Sequence, residues 1–247
     1  MTVLPEGDAA VDDLAPPSGT SPPPQPARGG GVRREVAVDL PPGASPWLSD
    51  LARWVGTWCF RPVLRVRVHH GERIPASGPV VLVANHSAFV DGPLLLGLVG
   101  RRAVFLTKQE MFRGPLAWLL PRIGQLAVRR GEPDAAPLRA AVGVLRGGGM
   151  IGVFPEGTRG AGDVVAAQHG AAWLARASGA VVLPVVVRGT RRSARRRFRP
   201  RVDVLVGAPL VIAPGGGRAG LAAATETVRA ALAGLVAELD EVRSNGE

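Results

Sequence analysis

The stretch "PVVLVANHSAFVDGPLLLGLVG", residues 79–100, joins two apolar segments through a short polar one. The first segment, 79–84, has the length and β-branched content of a buried strand, and 91–100 is a helix candidate. Between the two segments, His86 and Asp91 bring ionisable groups next to apolar neighbours. A buried charge is costly without a partner, so these two side chains form either a structural pair or a reactive one.

The same alternation of short apolar runs and helical segments continues on both sides of this stretch. The strand candidates are 62–68, 79–84, 103–107, 125–129, 150–154, 180–187 and 202–207. The helix candidates are a segment starting at Pro46 and the segments 91–100, 109–120, 134–147, 166–178 and roughly 218–243. Strands that alternate with helices predict an α/β fold, with a mostly parallel sheet flanked by helices.

The N-terminal part differs in composition from the rest. Residues 1–45 include "APPSGTSPPPQPARGGG", and a segment so rich in Pro, Gly and Ser cannot bury enough apolar surface to offset ordering entropy. We therefore predict a disordered tail over 1–45 and one domain over 46–247. The N-terminus is acidic and has no apolar core, so it does not resemble a signal peptide. No uninterrupted run of 18 apolar residues predicts a membrane-spanning helix.

The charge is concentrated in the predicted domain. The chain carries a net charge of +10, and residues 46–247 hold 27 basic residues against 14 acidic ones. A basic domain indicates an anionic partner, such as a phosphorylated substrate, an anionic membrane surface or a nucleic acid. The segment "RGTRRSARRRFRPR", 188–201, has eight arginines and no acid, and lies between two strand candidates. Such a loop suits lipid headgroups or the phosphates of coenzyme A better than bases, since only Phe198 could stack on a base.

An amphipathic helix is predicted at the start of the domain, with Ser45 as its N-cap and Pro46 at its first position. Its apolar side chains recur at helical spacing and are Trp47, Leu51, Trp54, Val55 and Trp58. Tryptophan favours the membrane–water interface, but a helix that packs on a core shows the same stripe. The sequence leaves both interpretations open.

His86 and Asp91 also have the arrangement of a catalytic pair. His86 follows a strand, at the end where open α/β sheets bind their ligands. If the chain turns, Asp91 can accept a hydrogen bond from one imidazole nitrogen and leave the other nitrogen basic. The alternative is a loop histidine followed by a helix-capping aspartate.

A second polar stretch, "VFPEGTRG" (153–160), follows the strand candidate 150–154. Gly157 permits a close approach of the backbone, and Arg159 can donate two hydrogen bonds to a phosphate. The alternative is a surface turn with an ion pair between Glu156 and Arg159.

Taken together, four blocks in order resemble the glycerolipid acyltransferases of the lysophosphatidic acid (1-acylglycerol-3-phosphate) acyltransferase type. "NHSAFVDG" is similar to the first block, although its serine follows the histidine directly, and "FPEGTRG" matches the third almost throughout. "KQEMFRGPLAWLLPRIGQLAVRRG" resembles the second block through Lys108, Glu110, Gly124 and Arg129. "VVLPVVVRG" resembles the fourth, with its proline at Pro184. The resemblance covers about residues 60–210.

This resemblance implies an enzyme that transfers a fatty acyl group from acyl-CoA or an acyl carrier protein to a lysophospholipid hydroxyl. The implied acceptor is 1-acylglycerol-3-phosphate, and other lysolipids, glycerol phosphate or amino-acid lipids are alternatives. His86 and Asp91 would be catalytic, with backbone amides near the first block as candidate oxyanion donors. The residues implied to bind the acceptor are Arg129, Glu156, Gly157, Thr158 and Arg159.

Neither a cofactor nor a metal is expected, since no His/Cys cluster has metal-ligand spacing, and the chain lacks the G-x-S-x-G motif of serine hydrolases. One departure from the family is "AAQHGAAWLA", where Gln168 and His169 stand in place of a usual lysine. Substrate chemistry and the basic domain together predict a peripheral protein on the cytoplasmic face of the membrane. Two other classes are less compatible: the H-x-x-x-D condensing enzymes, whose spacing is one residue shorter, and a basic nucleic-acid-binding protein.

Overall fold

Valine-rich runs form most of the strands, because β-branched side chains pack well on a pleated surface. The computed structural model describes residues 39–129, 135–154, 169–191 and 199–245. The strands are β1 (Arg65–His69), β2 (Val80–Ala84), β3 (Val104–Lys108), β4 (Leu126–Val128), β5 (Met150–Val153), β6 (Val181–Arg188) and β7 (Arg201–Val206). The α-helices are α1 (Pro46–Trp58), α2 (Asp91–Leu98), α3 (Pro115–Arg122), α4 (Ala135–Arg146), α5 (His169–Ser178) and α6 (Gly217–Ser244).

The strands form one seven-stranded sheet in the order β1-β7-β6-β2-β5-β3-β4. The five strands from β6 to β4 are parallel to one another, β7 is antiparallel to β6, and β1 is parallel to β7. The carboxyl ends of β2, β3, β4, β5 and β6 therefore meet at one edge of the sheet. The predicted α/β class with a mostly parallel sheet is confirmed.

Alternate residues of β2 enter different cores on the two faces of the sheet. Val81 and Val83 pack with apolar side chains of α4, α5 and α6, whereas Val80, Leu82 and Ala84 pack with those of α2. All five β2 residues are fully buried. A strand buried on both faces, between helical layers, places the residue that follows it at a fixed point of the sheet edge.

The helix α1 packs on α2 through two glycines. A Cβ on Gly97 would lie 2.3 Å from the carbonyl carbon of Gly56, and a Cβ on Gly56 would lie 2.6 Å from the carbonyl oxygen of Pro93. The hydroxyl of Thr57 donates to the carbonyl oxygen of Gly97 at 2.8 Å. Ser45 occupies the N-cap position as predicted, although its side chain makes no capping hydrogen bond.

The tryptophan stripe of α1 does not pack into the core. Trp47, Trp54 and Trp58 are 66%, 58% and 49% exposed, and Leu51 and Val55 are 46% and 40% exposed. The core-packing interpretation of the stripe is therefore wrong. The side of α1 that faces the body is buried at Ser49 and Gly56 instead.

The helix α6 is long and apolar enough to cross a membrane by length and composition alone. The sequence predicted no such helix, because the apolar run is interrupted by charged residues. One side of α6 packs against the sheet through Val228, Leu232, Leu235, Val236 and Leu239. This burial is what a core helix of an α/β domain shows, so the finding is weak evidence for a membrane span.

The predicted arginine loop lies between two strands, as expected, since β6 ends at Arg188 and β7 begins at Arg201. Both of these arginines have carboxylate partners: Arg188 pairs with Asp240 at 2.9 Å, and Arg201 pairs with the buried Asp203 at 2.8 Å. Residues 192–198 lie outside the described part of the chain. Two of the eight arginines counted in the sequence are therefore paired within the domain, and anion binding by this loop stays a prediction.

Residues that precede α1 contribute to the folded body. Leu40 is 7% exposed within the core on the α4–α6 side, and Asp39 lies 3.4 Å from the guanidinium of Arg102. The predicted boundary at residue 45 and the predicted disorder of the tail stay predictions, because residues 1–38 are outside the described part. The predicted helix over 109–120 is instead a short 3₁₀ helix, Gln109–Met111, followed by α3.

Candidate active site

Asn85 fixes the point at which the chain leaves β2. Its side-chain nitrogen donates to the carbonyl oxygen of Val187 at 3.0 Å, and its side-chain oxygen accepts from the amide of Val187 at 2.7 Å. The fully buried carboxamide thus replaces a backbone pairing and extends the β2–β6 ladder beyond Ala84. As a result, the next residue, His86, starts from a rigid position at the carboxyl edge of the sheet.

The loop from His86 to Asp91 is closed by the aspartate carboxylate. Asp91 is the first residue of α2 and is fully buried. Its Oδ2 accepts hydrogen bonds from the amides of Ser87 at 2.7 Å and Ala88 at 2.8 Å, and lies 3.5 Å from Nδ1 of His86. The loop folds back because a buried carboxylate needs several donors.

This geometry narrows one expectation. Backbone amides near the first block were candidate oxyanion donors, and two of them, those of Ser87 and Ala88, donate to Asp91 instead. These two amides hold the carboxylate in place and are not directed at a substrate. Asp91 Oδ1 is buried with no hydrogen-bond partner among the described residues, so it can accept from the imidazole when the ring turns toward it.

The pairing of His86 with Asp91 leaves a defined nitrogen for chemistry. Nδ1 faces the carboxylate, so a proton on Nδ1 would be directed at Asp91 and would leave the lone pair of Nε2 as the basic one. The side chain of His86 is 17% exposed and forms part of a cavity wall. The imidazole is therefore held from behind by a carboxylate and accessible from the cavity, as a general base requires.

The cavity next to His86 has a volume of about 970 Å³ and lies between α1, α2, α3 and the sheet edge. Most of its wall is apolar, and the side chains from α1 and α3 are Leu48, Leu51, Ala52, Val55, Leu116, Leu119 and Leu120. Among the described lining residues the permanent charges are Lys108 and Arg129, both cations. A cavity of this kind accommodates a long apolar group and directs an anionic group toward its basic rim.

The structure brings three of the predicted site residues to one place. His86, Asp91 and Arg129 lie at the carboxyl edge, with Arg129 directly after β4 and exposed. Glu156, Gly157, Thr158 and Arg159 lie outside the described residues, as does Gln168. Phe154, the residue before that segment, packs against His86 with ring centroids 4.3 Å apart.

The sequence interpretation assigned no catalytic or binding role to two residues of this site. Lys108, the only lysine of the chain, ends β3 and lines the cavity. Its position directly after an apolar strand was a usable signal, equal to that of His86. The contact of Phe154 with His86 had no such signal, because it depends on β2 and β5 being neighbours. Among the described residues, no group of three His, Cys, Asp or Glu side chains could hold a metal ion.

A histidine backed by a buried carboxylate, at the edge where parallel sheets bind their ligands, suits general-base chemistry on a substrate held in the apolar cavity. The chain matches the family model described as Acyltransferase over residues 65–188. It is also similar to the crystal structure of the 1-acyl-sn-glycerophosphate (LPA) acyltransferase PlsC from Thermotoga maritima. The TM-score is 0.58 at 28% identity, and the match covers 77% of this chain and 79% of that one.

Curated relatives agree with this class. A 1-acyl-sn-glycerol-3-phosphate acyltransferase of Bacillus subtilis is 26% identical over 147 residues, which are 59% of this chain and 73% of the relative. A lyso-ornithine lipid O-acyltransferase of Pseudomonas aeruginosa is 36% identical over 153 residues, 59% of this chain and 57% of the relative. The chain belongs to the acyltransferase family, in the group of the lysophosphatidic acid acyltransferases.

Proposed function

We propose that this enzyme transfers a fatty acyl group from an acyl thioester to the free hydroxyl of 1-acylglycerol-3-phosphate and so forms phosphatidic acid. The observation that carries the proposal is the position of His86 on the wall of an apolar cavity whose described charged lining residues are Lys108 and Arg129. The apolar wall suits fatty acyl chains, and two cations at the rim suit a phosphate.

The reaction follows from the orientation of the imidazole. Nε2 of His86 takes the proton of the acceptor hydroxyl while the hydroxyl oxygen attacks the thioester carbonyl carbon. Asp91 keeps the proton on Nδ1 and stabilises the imidazolium that forms. The tetrahedral intermediate then breaks its carbon–sulfur bond, the thiolate takes the proton back from the imidazolium, and His86 returns to its neutral form.

The acceptor phosphate is assigned to Arg129 together with Glu156, Gly157, Thr158 and Arg159, as the family resemblance implies. Lys108 joins this set because it lines the same cavity from the end of β3. The donor is acyl-CoA or an acyl carrier protein, each of which presents the same thioester. The phosphates of coenzyme A and the acidic surface of an acyl carrier protein would both be attracted to a chain with a net charge of +10.

A second acceptor is supported by one of the relatives. The lyso-ornithine lipid O-acyltransferase of Pseudomonas aeruginosa is 36% identical to this chain, against 26% for the Bacillus subtilis enzyme. An ornithine headgroup carries a carboxylate beside its cationic amine and is neutral overall, whereas a phosphate is a net anion, which Lys108 and Arg129 attract more strongly. The cations of the cavity therefore favour the phosphorylated acceptor.

The proposal is tested with purified protein and lipid vesicles by measuring thiol release and labelled product over an acceptor panel. The panel contains lysophosphatidic acid, lyso-ornithine lipid, other lysophospholipids and glycerol 3-phosphate, each with acyl-CoA and with an acyl carrier protein thioester. The largest kcat/KM is expected with lysophosphatidic acid. A larger value with lyso-ornithine lipid would establish the second candidate, and no transfer to any acceptor would reject the proposal.

We further assign the protein to the cytoplasmic face of the membrane as a peripheral protein. Trp47, Trp54 and Trp58 are exposed on α1, and Trp118 is 55% exposed on α3. Arg61 lies over Trp58 at 4.3 Å and Arg122 over Trp118 at 4.4 Å. Indole rings beside guanidinium groups suit the boundary between acyl chains and anionic headgroups. Because α1 and α3 also line the cavity, this surface would place the cavity next to its lipid substrates.

A further inference from the structure

The outer strand of the sheet carries two cations that the candidate active site does not use. Arg65 and Arg67 of β1 are exposed, and their side chains make no ion pair or hydrogen bond among the described residues. Val66, between them, packs against the core on the α2 side of the sheet. Because side chains alternate along a strand, both arginines project from the opposite face, the one on which α6 lies.

The neighbouring charges leave this part of the surface positive. Arg201, the register partner of Arg65, and Arg243 of α6 both pair with the buried carboxylate of Asp203. Two guanidinium groups share one carboxylate, so one positive charge remains in excess. The helix α6 packs on β6 and β7, and β1 lies one strand further out. The acidic side chains in the last turns of α6 are Glu238, Asp240 and Glu241.

This positive surface begins at the edge of the sheet where His86 lies. The strands β1 and β7 run opposite to β6 and β2, so Arg65, the first residue of β1, lies at the edge where β2 ends. Arg199, exposed just before β7, donates to the carbonyl oxygen of Arg61 at 2.8 Å, and the adjacent Phe60 lines the cavity. We call the two arginines of β1 and Arg199 the arginine ridge. Across the sheet, β1 is three strand spacings, roughly 14 Å, from β2.

The arginines of β1 and the tryptophan stripe of α1 are on opposite sides of the sheet. Ala52 of α1 packs against the core on the α2 side, whereas these arginines project from the α6 side. A membrane that contacts the tryptophans would therefore face away from them. Val63, two residues before β1, is 55% exposed. An exposed apolar side chain next to cations suits a protein partner better than a free phosphate.

We propose that the arginine ridge is the docking surface for an acidic protein that carries the acyl thioester, an acyl carrier protein. The inference rests on the proposed function and selects one of its two donors. Cations on one partner and carboxylates on the other steer the encounter and fix the orientation of the complex. The flexible prosthetic arm that links such a carrier to its acyl group would cross β7 and β6 to reach His86.

The alternative is that the charges of β1 only protect an edge strand from pairing with another chain. Steady-state kinetics of Arg65→Glu/Arg67→Glu separates the two roles. KM for the acyl carrier protein thioester should rise about tenfold or more, because two attractions become repulsions, and KM for acyl-CoA should rise much less. Edge protection predicts the wild-type KM for both donors, and that result would overturn the inference. Arg65→Gln/Arg67→Gln, with a smaller rise in the same order, replaces the reversal if it does not fold.

The matched control is Arg218→Glu/Arg229→Glu, which changes the net charge equally on the first half of α6. It should leave KM for both donors unchanged. A rise as large as that of the ridge variant would show that net charge acts and not this surface. Equal rises for the two donors in the ridge variant would assign the ridge to the phosphates of coenzyme A. Either result would overturn the inference.

A vesicle experiment tests whether the occupant is a membrane instead. Cosedimentation with vesicles that contain phosphatidylglycerol should be equal in the ridge variant and the matched control, since both carry the same net charge. A larger loss in the ridge variant would identify the ridge as a membrane contact and overturn the inference.

Binding without turnover separates this inference from the proposed function. Holo acyl carrier protein, which bears no acyl group, should bind the wild type in titration calorimetry and bind the ridge variant about tenfold more weakly or less. If the carrier binds in this way but no acyl group is transferred from either donor, the proposed function fails and the docking surface stands. If acyl-CoA is used but the carrier does not bind, the docking surface is overturned and the proposed function stands.

Discussion

Asn85 and Asp91 show how single side chains build the site. Each replaces a backbone interaction: Asn85 pairs with both backbone groups of Val187, and Asp91 accepts two amides of its own loop. Both side chains are fully buried, so their polar atoms must be used within the protein. The position of His86 between them is therefore a consequence of hydrogen-bond satisfaction at its two neighbours.

The cations of the cavity rim are expected to act on the acceptor. Lys108→Ala and Arg129→Ala should each raise KM for lysophosphatidic acid about ten- to a hundredfold, the scale of a lost charge-assisted hydrogen bond. The change in kcat should be smaller, and steady-state kinetics with each substrate varied in turn would show it. Arg229→Ala, on the exposed side of α6 next to Glu226, is the control and should leave KM unchanged. A raised KM for the acyl donor alone would reassign these residues to the donor.

At the scale of elements, the contact between α1 and α2 forms one side of the cavity. Gly97→Ala places a Cβ against the backbone of Gly56. Because backbone atoms cannot turn aside, α1 and α2 would have to move apart to make room. The expected loss of stability is roughly 1–3 kcal/mol, as for overpacking of a core. Thermal unfolding and the fluorescence of the α1 tryptophans would report it.

The matched control for this change is Gly143→Ala in α4, where a Cβ meets no atom within 4 Å. That variant should be neutral or more stable by up to about 1 kcal/mol, since alanine favours a helix over glycine. Equal stabilities of the two variants would contradict the close packing of α1 on α2.

The ion pair between Asp50 of α1 and Arg102 ties α1 to the segment before β3. The two side chains are 2.7 Å apart, and the hydrogen bond from Arg102 lowers the pKa of Asp50 below its ordinary value of 3.8. Because the folded-state pKa is the lower one, the stabilisation is present above pH 3.8 and is lost as the pH falls through the folded-state value. Asp50→Asn should cost a few tenths to about 1 kcal/mol at neutral pH, as partly exposed ion pairs do.

Denaturant unfolding of the wild type and Asp50→Asn at several pH values checks this expectation. The difference between the two proteins should shrink below the ordinary aspartate pKa. Asp39→Asn should show a smaller difference at neutral pH, because its contacts with the same guanidinium are 3.4 Å long. A difference that persists unchanged in acid would show that Asp50 acts through packing and not through its charge.

The sequence predicted elements better than their contacts. Apolar runs located all seven strands of the described residues. The spacing from His86 to Asp91 predicted the turn that brings these two side chains together. The reversed direction of β7 and the outward stripe of α1 were not predictable, since periodicity shows that a face is apolar but not what covers it. The contact of Phe154 with His86 was hidden for another reason: it arises from the order of strands in the sheet.

At the scale of the whole molecule, the exposed tryptophans lie on α1 and α3, the two helices whose other side chains line the cavity. A substrate chain that enters from a bilayer would then stay in apolar surroundings. The basic charge of the chain adds long-range attraction to anionic lipid, which salt weakens.

Simultaneous replacement of Trp47, Trp54 and Trp58 by alanine should release the protein from vesicles that contain anionic lipid. Because the three residues are between 49% and 66% exposed, the melting temperature should change little. Cosedimentation of the wild type should fall as salt rises. Unfolding of the triple variant would contradict the exposure of the stripe, and cosedimentation that resists both salt and carbonate would contradict peripheral attachment.

The central claim is that His86 is the general base of acyl transfer, and its most direct test is the turnover of His86→Ala with an acyl thioester and lysophosphatidic acid. The account predicts a rate lower by two to four orders of magnitude, roughly 3–5 kcal/mol in the barrier, at an unchanged melting temperature. The Asp91→Asn variant should lose somewhat less of the acyl-transfer rate than His86→Ala. Near-normal turnover of the folded His86→Ala variant would contradict the account.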